Sequence, residues 1–235
     1  MEGFFDSEQL EFRDHLRRWV DERLKPRAEQ LDRTGELARD LFEELGSLGY
    51  FGIMYPERYG GLGSKAPYTY FTILCDELAA ASMGFAATVC MHGSTATHTI
   101  FKWGREELKQ RYLVPAIQGK KIGAFAITEP DAGSDAAAIR TRATKVEGGY
   151  RLKGTKMFTS NAIVADFITV AATTDPGRGA RAPSACSCST RNRRDSWPAA
   201  GWRSSPPIAP IRRSSSSMTC SFRTNATSRP AASRE

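Results

Sequence analysis

The segment of this 235-residue chain best equipped for chemistry is AFAITEPDAGSD, residues 124–135. A β-type run ends at Thr128, and a loop of Pro130, Ala132, Gly133 and Ser134 follows. Glycine lets backbone approach a ligand closely, and neighbouring N–H groups in such a loop can converge on a phosphate oxygen. Thr128 and Ser134 add hydroxyls that can donate to ring heteroatoms or phosphates. From spacing alone, a plain turn leaving a strand accounts for the same residues. Other chemical signals are thinner. His92 and His98 lie among small apolar residues and read as core or surface histidines. Cys186-Ser187-Cys188 has no companion ligands at metal spacing, and no nucleophile–base arrangement is visible.

The elements that must hold this segment fall into two regions of different periodicity. Asp6 or Ser7 can cap a first helix in which Phe12, Leu16, Trp19, Val20 and Leu24 recur every three or four residues, and Pro26 should kink or end it. A second helix is expected near residues 36–48, with Leu41, Leu45 and Leu48 on one stripe and Gly49 just past its end. After the Tyr55-Pro56 and Gly60-Gly61-Leu62-Gly63 loop, Pro67 can open a third helix carrying Phe71, Leu74, Cys75 and Leu78. A fourth, near 85–101, is small and apolar throughout and so buried on several sides, and a short charged fifth follows at 106–112. Beyond Gly119 the period shortens to that of strands: 122–128, then a hairpin of 141–146 and 150–153 around Glu147-Gly148-Gly149, then FITVAAT at 167–173. The fold class is therefore α+β: an N-terminal helical bundle (1–118), then an incomplete antiparallel β domain (119–177) with open edges. Residues 178–235 read as a disordered tail.

Charge separates that tail from the rest. The whole chain carries a formal +7, but the last 59 residues hold 11 Arg, no Lys and two acids, a net +9, which leaves −2 for the first 176. Arg, Ser, Ala and Pro make up 39 of those 59 positions, with no sustained apolar period. Such a tail could neutralise phosphates, so nucleic-acid binding is the alternative function; no nucleic-acid partner is expected for the acidic folded part. No apolar run reaches the roughly 18 residues needed to span a bilayer. The first residues lack the basic and apolar regions of a secretory signal, and five cysteines in no evident framework suit a reducing compartment, so a cytoplasmic location is expected.

Three segments together carry a resemblance. The stretch from Thr128 to Asp135, the loop Pro56-Glu57-Arg58-Tyr59-Gly60-Gly61-Leu62-Gly63, and Gly154-Thr155-Lys156-Met157-Phe158-Thr159-Ser160-Asn161 with Ala165-Asp166 resemble, in order and spacing, the acyl-CoA dehydrogenase family over about residues 4–177. The resemblance implies FAD as cofactor and α,β-dehydrogenation of an acyl-CoA thioester, with hydride transfer to the flavin and electron-transfer flavoprotein as usual acceptor. It implies that Phe125, Ile127 and Thr128 lie along the flavin ring, with the Thr128 hydroxyl on the pyrimidine portion. Gly133 and Ser134 would approach the FAD phosphates and the acyl-CoA, with Ser134 the substrate contact. Phe158, Thr159 and Ser160 would flank the ring from the other side, although the family commonly has Ile-Thr where this chain has Thr159-Ser160. Glu129 would be a structural acceptor. The family's proton-abstracting Glu lies in a C-terminal helical domain, which also builds its oligomer contacts, and no residue here matches it. No catalytic residue is therefore assigned, and the chain is expected to be inactive alone. Finally, where the family continues with strands this chain turns to Arg, Ser and Pro. Permitted codons for residues 183–190, read in another frame, give VGMLLFD, so a frameshift between about 177 and 183 is expected.

Overall fold

The computed structural model describes residues 5–146, 149–174 and 185–190. Helix α1 (Ser7–Trp19) begins with a reciprocal cap: the Asp6 carboxylate accepts from Gln9 N–H at 2.8 Å, and the Gln9 side chain returns to Asp6 N–H. Pro26 does not end this helix. The chain passes through a π-helical segment (Val20–Leu24) into α2 (Lys25–Thr34), with Pro26 in its first turn. The wider π turn re-registers the backbone just where proline brings no N–H, so helicity continues. The same device recurs where α7 (Glu106–Leu108) passes through the π segment Lys109–Leu113 into α8 (Val114–Ile117), which carries Pro115.

Helix α3 (Arg39–Ser47) ends as expected, with Gly49 at a left-handed φ of 86°. Helix α4 (Pro67–Ala81) turns at Ser82 into a long rod of α5 (Met83–Cys90), a π segment (Met91–Ala96) and α6 (Thr97–Trp103). Within the rod's π segment the Gly93 carbonyl accepts from the buried Tyr55 hydroxyl and from Thr97 Oγ1. Leu16, Leu24, Phe42, Leu45, Leu74, Leu78, Phe85 and Val89 meet in one apolar cluster. Glu77, buried on α4, accepts from Nε and Nη2 of Arg17 at 3.0 and 2.6 Å, tying α1 to α4.

The β region is smaller. Strand β1 (Gly123–Ala126) pairs with β4 (Phe167–Ala172), and β4 pairs with β5 (Ala185–Thr190). Strands β2 (Arg142–Val146) and β3 (Gly149–Lys153) form the expected hairpin, with Arg142 opposite Lys153 and Val146 opposite Gly149. Two expectations change. The β1–β4 pair is parallel, Gly123 opposite Phe167, because the long excursion between them returns the chain in its original direction. And 185–190, assigned to the tail, is a strand antiparallel to β4, where it pairs the edge that β4 would otherwise leave open. The rest of the expected tail, 178–184 and 191–235, lies outside the described residues.

The two regions join at the start of β1. A Cβ at Gly123 would come within 2.6 to 2.9 Å of the Phe167 ring and Ala96, so only glycine lets β1 lie this close to the rod. Its N–H donates to Nδ1 of the fully buried His92 at 3.0 Å, while His92 Nε2 donates to the Ala116 carbonyl at 3.2 Å. Asp166 accepts from Ile122 N–H and from Arg39, bridging α3 to both parallel strands.

Candidate functional site

Along β1 the side chains alternate as a strand requires. Ala124 and Ala126 turn into a small alanine-rich core with Ala143, Leu152, Ala162, Ala165, Ile168 and Val170. Phe125 packs on the cluster around Tyr55, Ile100 and Phe167, and Ile127 on Ala132, Ile139 and Ala171. Both remain partly exposed, as does Thr128. The loop beyond Thr128 closes on itself, with Glu129 and Ala132 bridged backbone to backbone, and presents Gly133 and Ser134 to solvent. A Cβ at Gly133 would meet nothing within 4 Å, so space stands open beside the loop.

The structure brings the second segment against this one. Met157 N–H donates to the Thr128 carbonyl at 2.8 Å, and Lys156 Nζ donates to the Ile127 carbonyl at 2.8 Å. Phe158, Thr159 and Ser160 therefore begin one residue from the end of the β1 segment. Phe158 adopts a left-handed φ of 52° and is 60% exposed, two unfavourable states in one large apolar residue. Beside it the Thr159 hydroxyl is buried and has no hydrogen-bond partner among the described residues. Asn161, also left-handed at φ 66°, anchors the segment by donating from Nδ2 to the Thr88 carbonyl on α5 and to the Gly123 carbonyl.

Glu129 is what holds the loop in register. Its buried carboxylate accepts from Lys156 Nζ at 2.7 Å, from Arg140 and Thr141 N–H, and from the Thr141 hydroxyl. Burial pushes its pKa up, but these donors outweigh burial and leave it below the usual carboxylate range. Burial also lowers Lys156, and the ion pair only partly compensates. With four donors on it, Glu129 is a structural acceptor. Asp131 is engaged by Arg140, and Asp135 by the Ala137 N–H. Among the described residues no group of three or more His, Cys, Asp or Glu could hold a metal ion, and no helix is long and apolar enough to cross a membrane.

Lys156, Asn161 and His92 organise the site; His92, read from sequence as a core or surface histidine, is a buried and hydrogen-bonded core residue, and Lys156 and Asn161 were assigned no individual role. A buried lysine between Thr155 and Met157 carries no periodic signal, and the bridging role of His92 depends on a carbonyl and an amide 24 and 31 residues away.

The acyl-CoA dehydrogenase N-terminal domain model matches residues 6–120, and the middle-domain model matches 124–203. The chain belongs to the acyl-CoA dehydrogenase family. It is 41% identical to benzylmalonyl-CoA dehydrogenase of Aromatoleum aromaticum over 164 residues, 70% of this chain and 43% of that protein. Among solved structures it resembles butyryl-CoA dehydrogenase of Megasphaera elsdenii (33% identity, TM-score 0.71), covering 84% of this chain and 51% of that one. It also resembles a glutaryl-CoA dehydrogenase of Mycobacterium smegmatis in complex with FADH2 (38% identity, TM-score 0.68), covering 74% and 44% respectively. The chain thus spans less than half the length of that curated relative, and its middle-domain match runs past the composition change at Gly177.

Proposed function

We propose that this chain supplies the flavin-facing surface of an FAD-dependent acyl-CoA dehydrogenase. The observation that carries the proposal is Phe158, held exposed in a left-handed conformation beside the Thr159 hydroxyl, which has no partner among the described residues, and linked through Met157 to Thr128 just past β1. A strained, exposed aromatic and a buried orphan hydroxyl are costs that a planar polar ligand offsets, so these residues fit a flavin. In this reading Phe125, Ile127 and Thr128 line one side of the ring, with the Thr128 hydroxyl donating to its pyrimidine part. Phe158, Thr159 and Ser160 flank the other side. Gly133 leaves room for the FAD phosphates, and the Ser134 hydroxyl contacts the acyl-CoA. When bound, the flavin supplies the acceptor for the substrate's β-hydride; the chain's own residues position, orient and exclude water. Glu129, locked by its four donors, is not free to take the α-proton, and electron-transfer flavoprotein is the proposed acceptor downstream. A cytoplasmic location belongs to the same reading, as does a frameshift near residue 177 as the origin of the Arg-rich ending. The nucleic-acid alternative finds no support among the relatives.

Flavin titration of the purified chain is the test. FAD binding with quenched fluorescence is expected, weakened by Thr159→Ala through loss of a donor and its packing, by about tenfold. Absence of binding overturns the proposal. With an acyl-CoA and an artificial electron acceptor, the chain alone is expected to show no turnover, and turnover above background overturns that part of it.

A further inference from the structure

Two thiols lie outside the flavin surface and take no part in the function just proposed. Cys75 on α4 and Cys90 at the end of α5 are 15 residues apart in sequence, on either side of the Ser82 turn. The two helices run back along each other from that turn, and this brings the sulfurs to 2.8 Å, hydrogen-bonded to one another. Both are free and only partly buried, within reach of small reagents. We propose that Cys75 and Cys90 form a dithiol site for low-molecular-weight disulfides such as oxidised glutathione, closing to an intramolecular disulfide that fastens α4 to α5.

The mutual hydrogen bond raises Cys75 above the ordinary thiol range and lowers Cys90, so the pair favours a single thiolate. The Cys90 thiolate attacks one sulfur of the small disulfide, a mixed disulfide forms, and one small thiolate leaves. Cys75, giving its proton to solvent, attacks the Cys90 sulfur and expels the second small thiolate. Two protein thiols are oxidised, one external disulfide is reduced, and the two released thiolates take up the protons. The site bears on the rest of the molecule through α5, whose Thr88 carbonyl holds Asn161 of the 158–161 turn at 2.9 Å. A fastened α4–α5 hairpin therefore fixes the support of that turn.

The test uses the full chain with Cys186, Cys188 and Cys220 replaced by Ser, treated with oxidised glutathione and then dithiothreitol. Intact mass is expected to fall by about 2 Da, for the two hydrogens lost. Peptide mapping should join the peptides of Cys75 and Cys90, thermal stability should rise, and reductant should reverse all three. In this background Cys75→Ser should instead trap one stable glutathione adduct on Cys90. Helical circular dichroism equal to that of the untreated chain establishes folding of each variant. Retention of glutathione on both cysteines, disulfide-linked dimers, or no reaction in the folded protein overturns the proposal.

Discussion

The helical and β regions are built from different materials. The helices bury large side chains against one another: Leu16, Leu24, Leu41, Phe42, Leu45, Leu74 and Leu78 are all essentially inaccessible. In the β region the equivalent positions are mostly alanine, and each methyl contributes little area. What alanine cannot supply there, buried polar bonds do. Glu129 joins three chain segments, from 129, 140–141 and 156, within one set of hydrogen bonds. Large apolar groups give stability without insisting on one geometry, whereas a directional network fixes where each backbone atom sits. The difference places stability in the helices and positional accuracy around the 156–161 turn.

The largest effect should come from breaking the polar side. Glu129→Ala leaves the Lys156 ammonium buried and three other donors unmet, at a cost of about 4 kcal/mol. Chemical denaturation monitored separately by far-ultraviolet circular dichroism and by amide hydrogen exchange in β1 and β4 should show the β region lost before the helices. Loss of both in one step would mean the regions are not divided in this way. On the apolar side, Leu78→Ala should cost about 3 kcal/mol, and by contrast both probes should shift together, because the helices support the sheet.

Acid tests the junction. Burial depresses His92 from its ordinary range to about 4. The folded state thus refuses a proton that the unfolded chain accepts below about 6.5. The His92 contribution to stability should be constant above that pH and fall by about 1.4 kcal/mol per unit from there to about 4. His98, also lowered, first by burial, acts in the same direction. His92→Gln should remove most of the slope, and an unchanged pH profile of stability would show that His92 does not report on folding. The smallest effect has the opposite sign. Phe158→Gly relieves the left-handed strain and should stabilise the ligand-free chain by about 1 kcal/mol while weakening flavin binding. Reduced stability, or unchanged flavin affinity, would separate the turn's conformation from its proposed task.

Much of this was legible in the residues because it rests on local rules. The Asp6 cap, the Gly49 terminus, the Pro67 start and the β2–β3 hairpin each depend on a few adjacent positions. What could not be read depends on distance along the chain. The Met157–Thr128 hydrogen bond, which sets 157–160 beside the end of the 122–128 run, joins positions 29 residues apart and has no local signature. Pro26 read as a kink or an end because the π segment that absorbs it has no residue signature. The parallel sense of β1 and β4 is set by the path of the intervening 40 residues, and Ala185–Thr190 looked like tail because its strand character comes from its partner β4. The burial of Lys156 likewise follows from Glu129, 27 positions earlier.

His92 has one more consequence. Accepting from Gly123 and donating to Ala116 fixes its tautomer, with the ring proton on Nε2 of a buried ring. That hydrogen can be traded for deuterium only when the seam between the rod, α8 and β1 parts. Its nuclear magnetic resonance signal, followed after transfer to heavy water, would time the opening of the whole seam from a single atom.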